Sequence, residues 1–332
     1  MAQTPRCGDS TRRTFLKASG GVVLTSAVAG CIGSLDDDAI TFILNPAEEQ
    51  TDIVEEYTPM KEYLESETDA EIDLDPAGSY VETLEALESE HGELADTSPT
   101  GVPGGEGFAD VVGMRTAYGG NLYFSTIVTT PDSGIEELAD LEGEQVAVGS
   151  QLSMSGTLVP TVMLKEAGLD VGDFPNSPDA TDLDINTAGD HDTAREQLED
   201  DPDVVAAAAG AFATAPQVPQ EQFDEYDEFV EHSAEYDRAG SGLDDGQELQ
   251  LIDVSRPLPR APIMARSNWD DPVREDIEQA LLDAEEEDLI PEDVDEDYQL
   301  WFTGIEEADE DDYDVVYEVM DELDLEFEDF GE

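Results

Sequence analysis

The chain has 332 residues, with 85 Asp or Glu against 13 Lys or Arg and a net charge of −72. That length suits one large or two medium domains, and that charge excludes nucleic acid as a partner, because no basic patch exists to meet phosphates. A disordered acidic chain is excluded too, since apolar periodicity and β-prone segments persist almost to the C-terminus. A folded protein working in molar salt, where the Debye length falls to about 3 Å and self-repulsion is screened, fits better.

The front end reads Ser10-Thr11-Arg12-Arg13-Thr14-Phe15-Leu16-Lys17 and leads into an apolar run over residues 18–30. This resembles a twin-arginine export signal carried by Arg12 and Arg13. The run is shorter than the roughly 20 residues a membrane span needs. It ends in Val28-Ala29-Gly30-Cys31, which is similar to the lipobox of secreted lipoproteins. On that resemblance residues 1–30 are the signal, and residues 31–38 are a lipidated Cys31 and its tether. An ordinary cleaved signal with a chance cysteine is the alternative. Cys7 leaves with the signal, so the mature chain keeps one cysteine and forms no internal disulfide. Cleavage also removes Arg6, Arg12, Arg13, Lys17 and Asp9, leaving nine cations against 84 acids, a net charge of −75.

The mature chain opens with a strand over 39–44, an Asn45-Pro46 turn, and a helix over 48–66 with Ile53, Tyr57, Met60, Tyr63 and Leu64 on one face. A strand over 70–74 follows, then a helix starting at Tyr80 after the Gly78-Ser79 turn. Leu94-Ala95-Asp96 ends a strand and opens into a polar loop with Thr97, Ser98, Thr100 and Gly101. Strands over 108–114 and 121–130 complete the first set. A second set has a short helix over 135–141, a strand over 144–149, the turn Ser153-Met154-Ser155-Gly156 and a helix over 157–167. A strand over 182–188, the turn Gly189-Asp190-His191-Asp192, a helix over 193–198 and a strand over 203–209 come next. Residues 217–246 are acidic, show no apolar partner face, and read as a surface insertion. A strand over 248–254 leads into a proline-rich crossing from Arg256 to Pro262 and a strand over 263–266. Helices over 272–284 and 313–323 are separated by acid-rich loops, and residues 326–332 fray. The alternation of strands and helices argues an α/β fold with a mainly parallel sheet.

The turn at Ser153 carries the chemistry. A short apolar strand ends in Gly149, and apolar residues at helical spacing begin at Thr157, so the segment between is a helix start. Several backbone N–H groups have no intrahelical acceptor there, and the helix dipole favours negative charge. Two hydroxyls and a glycine at that point make a seat for an oxyanion; a serine N-cap and nothing more is the bland alternative.

In order, these motifs resemble the phosphate, phosphite and phosphonate-binding proteins of ABC importers over residues 39–332. The likeness rests on Ile43-Leu44-Asn45-Pro46-Ala47-Glu48, Tyr123-Phe124-Ser125-Thr126-Ile127-Val128, Leu138-Ala139-Asp140-Leu141-Glu142-Gly143, Ser153-Met154-Ser155-Gly156 before Leu158-Val159-Pro160, Gly189-Asp190-His191-Asp192, and Pro257-Leu258-Pro259-Arg260-Ala261-Pro262. The resemblance implies a two-lobed, type II periplasmic-binding-protein-like fold with a hinged interlobe cleft. Lobe one would be 39–129 and 257–332, lobe two 130–256, with crossings near Thr129-Thr130 and Ser255-Arg256. It implies a small oxyanion ligand, a membrane permease as partner, a lipid anchor at Cys31, no catalysis, no cofactor or metal, and a monomer. Its site residues would be Ser153, Ser155 and Gly156, Met154 through its N–H, and His191, acting best as the cation. Tyr80, Ser98, Thr100 and Arg260 would face them.

The chain departs from the family pattern in three places. Met154 stands where the family often has Thr, and Pro99-Thr100-Gly101 lacks the family's aromatic ring. Carboxylates that hold amino-bearing ligands are absent near Gly210-Ala211 and at Ala261. This disfavours an aminoalkylphosphonate and favours a smaller or fully anionic ligand. Rival readings are a sulfonate or sulfate carrier, a sensor lipoprotein, or a hydrolase with His191 as base and Ser153 or Ser155 as nucleophile. The bland readings are a surface histidine at His191, packing at Tyr80, turn chemistry at Ser98 and Thr100, and neutralisation of surface carboxylates by Arg260. The charge makes one expectation independent of the ligand. Dilution from molar to low salt unfolds the mature chain, and a circular-dichroism melt that is the same in both overturns the halophilic reading.

Overall fold

The computed structural model describes residues 39–45, 53–117, 120–177, 180–243, 247–290 and 302–325. The leader with Arg12 and Arg13, the tether from Cys31, Pro46 of the first turn, and the tail over 326–332 lie outside the described residues. Strand β1 (Ile40–Leu44) is followed by helix α1 (Ile53–Thr68) and strand β2 (Ile72–Pro76). Ile53, Tyr57, Met60 and Leu64 of α1 recur every three or four residues and are buried. This is the periodicity of one helix face laid on a sheet, and burying each such side chain contributes about 1.5–3 kcal/mol. Helix α2 (Tyr80–Glu88) starts at Ser79, whose hydroxyl accepts the Glu82 N–H, an N-cap that contributes about 1 kcal/mol. Strands β3 (Leu94–Asp96) and β4 (Ala109–Thr116) complete four strands that run in one direction.

Strands β5 (Leu122–Tyr123), β6 (Ser125–Thr129) and β7 (Gln145–Val148) come next, then helix α3 (Val159–Glu166) and strand β8 (Asp184–Thr187). Helix α4 (His191–Asp200), strand β9 (Val204–Gly210) and strand β10 (Gln250–Val254) follow. The chain returns through β11 (Leu258–Pro259) and β12 (Pro262–Arg266), then α5 (Val273–Asp283), β13 (Gly304–Glu306) and α6 (Asp314–Glu322). The strands form two lobes, each built on its own sheet. The first sheet has the order β13-β4-β12-β3-β1-β2 and the second β10-β6-β9-β7-β8; β5 and β11 pair alone as a two-stranded ribbon. The returning strand β12 inserts antiparallel between β3 and β4 and is buried from Pro262 to Ala265. Among the described residues no helix is long and apolar enough to cross a membrane.

Two features differ from the expectation. First, the boundary between lobes does not fall at 129/130. β6 belongs to the second sheet, paired along Thr126↔Ala209 and Leu251↔Val128, so the outward crossing lies at the β5 ribbon. Sheet membership is decided by partners some 80 and 120 residues away in sequence, which a local pattern cannot show. Helix α6 likewise leaves the first lobe. Its Val316, Val319 and Met320 are buried in one cluster with Val146, Leu158 and Met163 of the second. Arg256 pairs with Glu318 at 2.8 Å, and the Lys165 ammonium donates to the Glu322 carbonyl at 2.5 Å.

Second, the described part of the expected surface insertion, residues 217–243, does have a partner face. Val218, Phe223 and Phe229 are fully buried with Phe124 and Val128. The Phe223 and Phe229 rings stack at 4.4 Å, and Phe124 meets Phe229 edge-on at 5.1 Å. Its helical turns, such as Asp227–His232, are too short to display an apolar period.

Candidate functional site

Strands β7, β8 and β9 are parallel, so their C-terminal ends open on one edge of the second sheet. Ligands of open α/β sheets gather at such an edge. The chain leaving β7 folds back on itself: the Gly149 N–H donates to the Gly156 carbonyl at 2.9 Å. A Cβ on Gly149 would stand 3.2 Å from the Gly156 Cα. One on Gly156 would stand 2.9 Å from both the His191 ring and the Ser153 hydroxyl oxygen. Only glycine pairs allow this approach.

Residues Met154–Leu158 then form a wide helical turn that runs into α3. The Ser153 carbonyl accepts the N–H groups of both Thr157 and Leu158 at 3.0 Å, and its hydroxyl accepts the Gly156 N–H at 3.0 Å. The Met154 and Ser155 N–H groups belong to the open first turn, where no intrahelical acceptor exists. The Met154 side chain, 1% exposed, packs into the core with Leu158 and Tyr123, so this residue offers the site only its backbone.

His191 opens α4 behind the cap of Asp190, whose carboxylate accepts the Thr193 N–H at 2.6 Å. The histidine is buried. Its Nδ1 accepts the Gly210 N–H, which arrives from the end of β9 at 3.0 Å, and its Nε2 lies 3.2 Å from the Ser153 hydroxyl oxygen. The Phe212 ring meets it edge-on at 4.9 Å. Burial pushes its pKa down to about 4 against the opposing carboxylates of Asp192 and Asp190. In the ligand-free protein the ring is therefore a neutral imidazole, where the cation was the form expected to bind best. An N–H donor facing Nδ1 leaves the proton on Nε2.

That tautomer also weighs against the hydrolase. A general base must present a lone pair to the serine hydroxyl and is held by a carboxylate behind it. Here Nε2 presents a proton, and an amide N–H stands behind the ring.

The first lobe faces this turn. The Thr100 hydroxyl donates to the Leu152 carbonyl at 3.3 Å. Tyr123, on the ribbon, comes close to the Ser155 side chain, and burial pushes its pKa up to about 12, an effect the Ser155 side chain opposes. Within the second lobe itself, the Ser125 hydroxyl at the start of β6 donates to the Ser155 carbonyl at 2.6 Å. Ser98 is buried and shapes the Thr100 loop through its carbonyl, which accepts the Gly101 N–H at 2.7 Å. Tyr80 is half-buried at the start of α2 and near enough to Arg115 to favour that residue's charge.

Arg260 is corrected. Its guanidinium donates to the Glu235 carboxylate at 3.0 Å and to the Gly120 carbonyl at 3.1 Å, with both side chains buried, so it is committed to an ion pair. Glu235 comes from the stretch that showed no partner face in the sequence.

Sequence reasoning missed Tyr123, Ser125, the Gly210 N–H and a buried polar cluster at the end of β3. In that cluster the Asp96 carboxylate accepts from the Tyr57 hydroxyl, from Arg115 at 2.9 Å and from Asn45 at 3.3 Å. Burial raises the Asp96 pKa, opposed by Arg115 and by the Tyr57, Asn45 and Arg115 hydrogen bonds. An Asp closing the apolar Leu94-Ala95 strand was the signal available.

Two lobes joined by a thin ribbon, with a donor-rich turn at strand ends facing hydroxyls of the other lobe, define a periplasmic-binding-protein fold. Residues 42–313 match the family described as ABC transporter, phosphonate, periplasmic substrate-binding protein, and the chain belongs to it. Similar solved structures agree on the fold. The binding protein component of an ABC phosphonate transporter from Pseudomonas aeruginosa is 14% identical over 87% of each chain, with a TM-score of 0.63. PhnD1 from Prochlorococcus marinus in complex with methylphosphonate is 13% identical over 86% of this chain and 98% of that one, at 0.64. A Xanthomonas citri protein bound to ATP is 15% identical over 89% and 100%, at 0.63.

The His191 environment makes stability depend on pH. Its folded pKa of about 4 lies below the ordinary 6.5, so the unfolded chain binds the proton more readily. The contribution is fully present above pH 6.5 and is lost as pH falls toward 4. Between pH 7 and pH 5 wild type loses about 2 kcal/mol that His191→Gln does not lose. Denaturant unfolding of both proteins at the two pH values measures this, and equal losses overturn it.

Proposed function

We propose that this protein is the extracytoplasmic binding component of an ABC importer, capturing phosphate, phosphite or a small phosphonate between its lobes for delivery to a permease. The observation that carries the reading is the Ser153–Gly156 turn at the ends of parallel strands, faced across the cleft by Thr100 and Tyr123. A buried anion needs each oxygen satisfied, and a helix start with two hydroxyls answers several oxygens without a cation. The family resemblance implies carboxylates near Gly210-Ala211 and at Ala261 for an amino-bearing ligand, and this chain has none at those positions. The ligand therefore carries no ammonium group. Closure brings the lobes together by rotation at the β5–β11 ribbon, the motion expected of a hinged binding protein. The mature protein works as a monomer, exported by Arg12 and Arg13 and held at the outer face of the membrane by lipid on Cys31.

The test is calorimetry in molar salt against phosphate, phosphite, methylphosphonate, an aminoalkylphosphonate and sulfate. Ser153→Ala and Ser155→Ala each weaken the best ligand about ten- to a hundred-fold, or about 1.5–3 kcal/mol, as expected for a hydrogen bond to a charged group. Wild-type affinity in both variants places the anion elsewhere, and sulfate as the best ligand overturns the phosphorus class. Cell fractionation checks the anchor separately: Cys31→Ser moves the protein into the soluble extracellular fraction, and a variant that stays on washed membranes refutes lipidation.

A further inference from the structure

The Ser153 hydroxyl is held on two sides. The Gly156 N–H donates to its oxygen at 3.0 Å. His191 Nε2 lies 3.2 Å away on another side. Which of the two carries the proton of that second contact is decided further back. The Gly210 N–H points at Nδ1 from 3.0 Å, and a backbone N–H has no alternative role but to donate. Nδ1 must then hold a lone pair, which leaves the ring proton on Nε2. A hydroxyl oxygen has two acceptor positions and one hydrogen. With Gly156 and His191 filling the acceptor positions, the Ser153 hydrogen is left for a third partner.

We propose that His191 is a positioning residue that acts on the ligand through Ser153: the chain from the Gly210 N–H through His191 fixes the Ser153 hydroxyl as a donor to the anion. This rests on the functional reading above and deepens it. The Ser153 position then accepts only an oxygen without a proton, because a protonated ligand oxygen would face a second hydrogen. The chain uses no net charge. Asp190 and Asp192 on the start of α4 are the carboxylates that act on the ring, Phe212 packs on its edge, and Ser153 and Gly156 face it from the opposite segment.

Two measurements test it. In the ligand-free protein at pH 7, nitrogen NMR of the histidines finds His191 protonated at Nε2 and bare at Nδ1; a proton on Nδ1, or an imidazolium, overturns the proposal. The second is a double-mutant cycle read by calorimetry with methylphosphonate and inorganic phosphate. His191→Ala weakens binding by about ten-fold or more. Added to Ser153→Ala it weakens binding by less than about threefold more, because the residue through which it acts is gone. Additive losses mean that His191 touches the anion itself and overturn the proposal. His191→Gln, whose amide N–H donates from the Nε2 position, recovers most of the loss. The advantage of wild type over His191→Ala does not grow between pH 8 and pH 6, because the ring stays neutral and the bare oxygen it selects for is scarcer at pH 6; a wild-type advantage that is larger at pH 6 marks a charged histidine and overturns the proposal. Wild type that binds none of the five screened oxyanions overturns the functional reading instead, and the NMR result still decides the state of His191.

Discussion

An anion taken out of water must have its charge and each of its oxygens answered by the protein. This chain has almost no cations with which to answer, and most of the arginines among the described residues are engaged. Arg115 is held by Asp96, Arg195 by Glu199, Arg256 by Glu318, Arg260 by Glu235, Arg266 by Glu93 and Arg274 by Asp110. A surface with this excess of carboxylate captures any guanidinium within reach. The second-lobe half of the proposed site is accordingly made of neutral donors, two hydroxyls and open-turn N–H groups, with the imidazole of His191 behind Ser153. Fixed dipoles of this kind need no counter-charge of their own, and burial strengthens them. The glycines at 149 and 156 follow from the same constraint, because a donor set without a cation works only if the backbone itself comes close.

The contacts between lobes gather where the chain crosses. Tyr123 on the ribbon reaches Ser155, Thr100 reaches the Leu152 carbonyl, and Arg260 lies over the Tyr123 ring at 5.9 Å while clasping Glu235. Tyr313 adds a hydrogen bond to the Arg260 carbonyl at 3.1 Å, which ties the start of α6 to the same point. The Arg260–Glu235 pair is weak evidence for net stability, because desolvating two charges offsets most of their attraction. It does specify geometry, since neither charge can leave its partner without being stranded in a buried place. The residue that resembled a ligand contact instead holds the hinge segments in register with the second lobe.

What the sequence made legible was local. The Ser153–Gly156 turn could be read because strand, small residues and helix follow one another within about twenty positions, and the turn carries its chemistry in that stretch. The face of α1 could be read for the same reason. The state of His191 could not, because the N–H that sets its tautomer belongs to Gly210, brought to it by β9 pairing with β7. Arg260 was misread because Glu235 sits among short helical turns whose apolar residues, one or two per turn, leave no periodic trace. The membership of β6 in the second sheet depends on its ladder with β9, which no window of residues contains. In each case the missing information was a long-range contact.

The excess of carboxylate also bears on how a ligand arrives. A net charge of −72 sets up a field that opposes an incoming anion at distances well beyond the site. At about 0.15 M ionic strength the Debye length is about 8 Å, so the chain's excess of carboxylate would repel the ligand before any donor touched it. In molar salt that length shrinks to about 3 Å, comparable to one hydrogen bond. The ligand then meets the field of the site and little of the field of the surface. Donors at hydrogen-bond range act inside that length and are barely screened, whereas repulsion across the cleft acts outside it and is lost. On the reading of a protein that works in molar salt, a site of short-range neutral donors is thus the arrangement that would keep its affinity there.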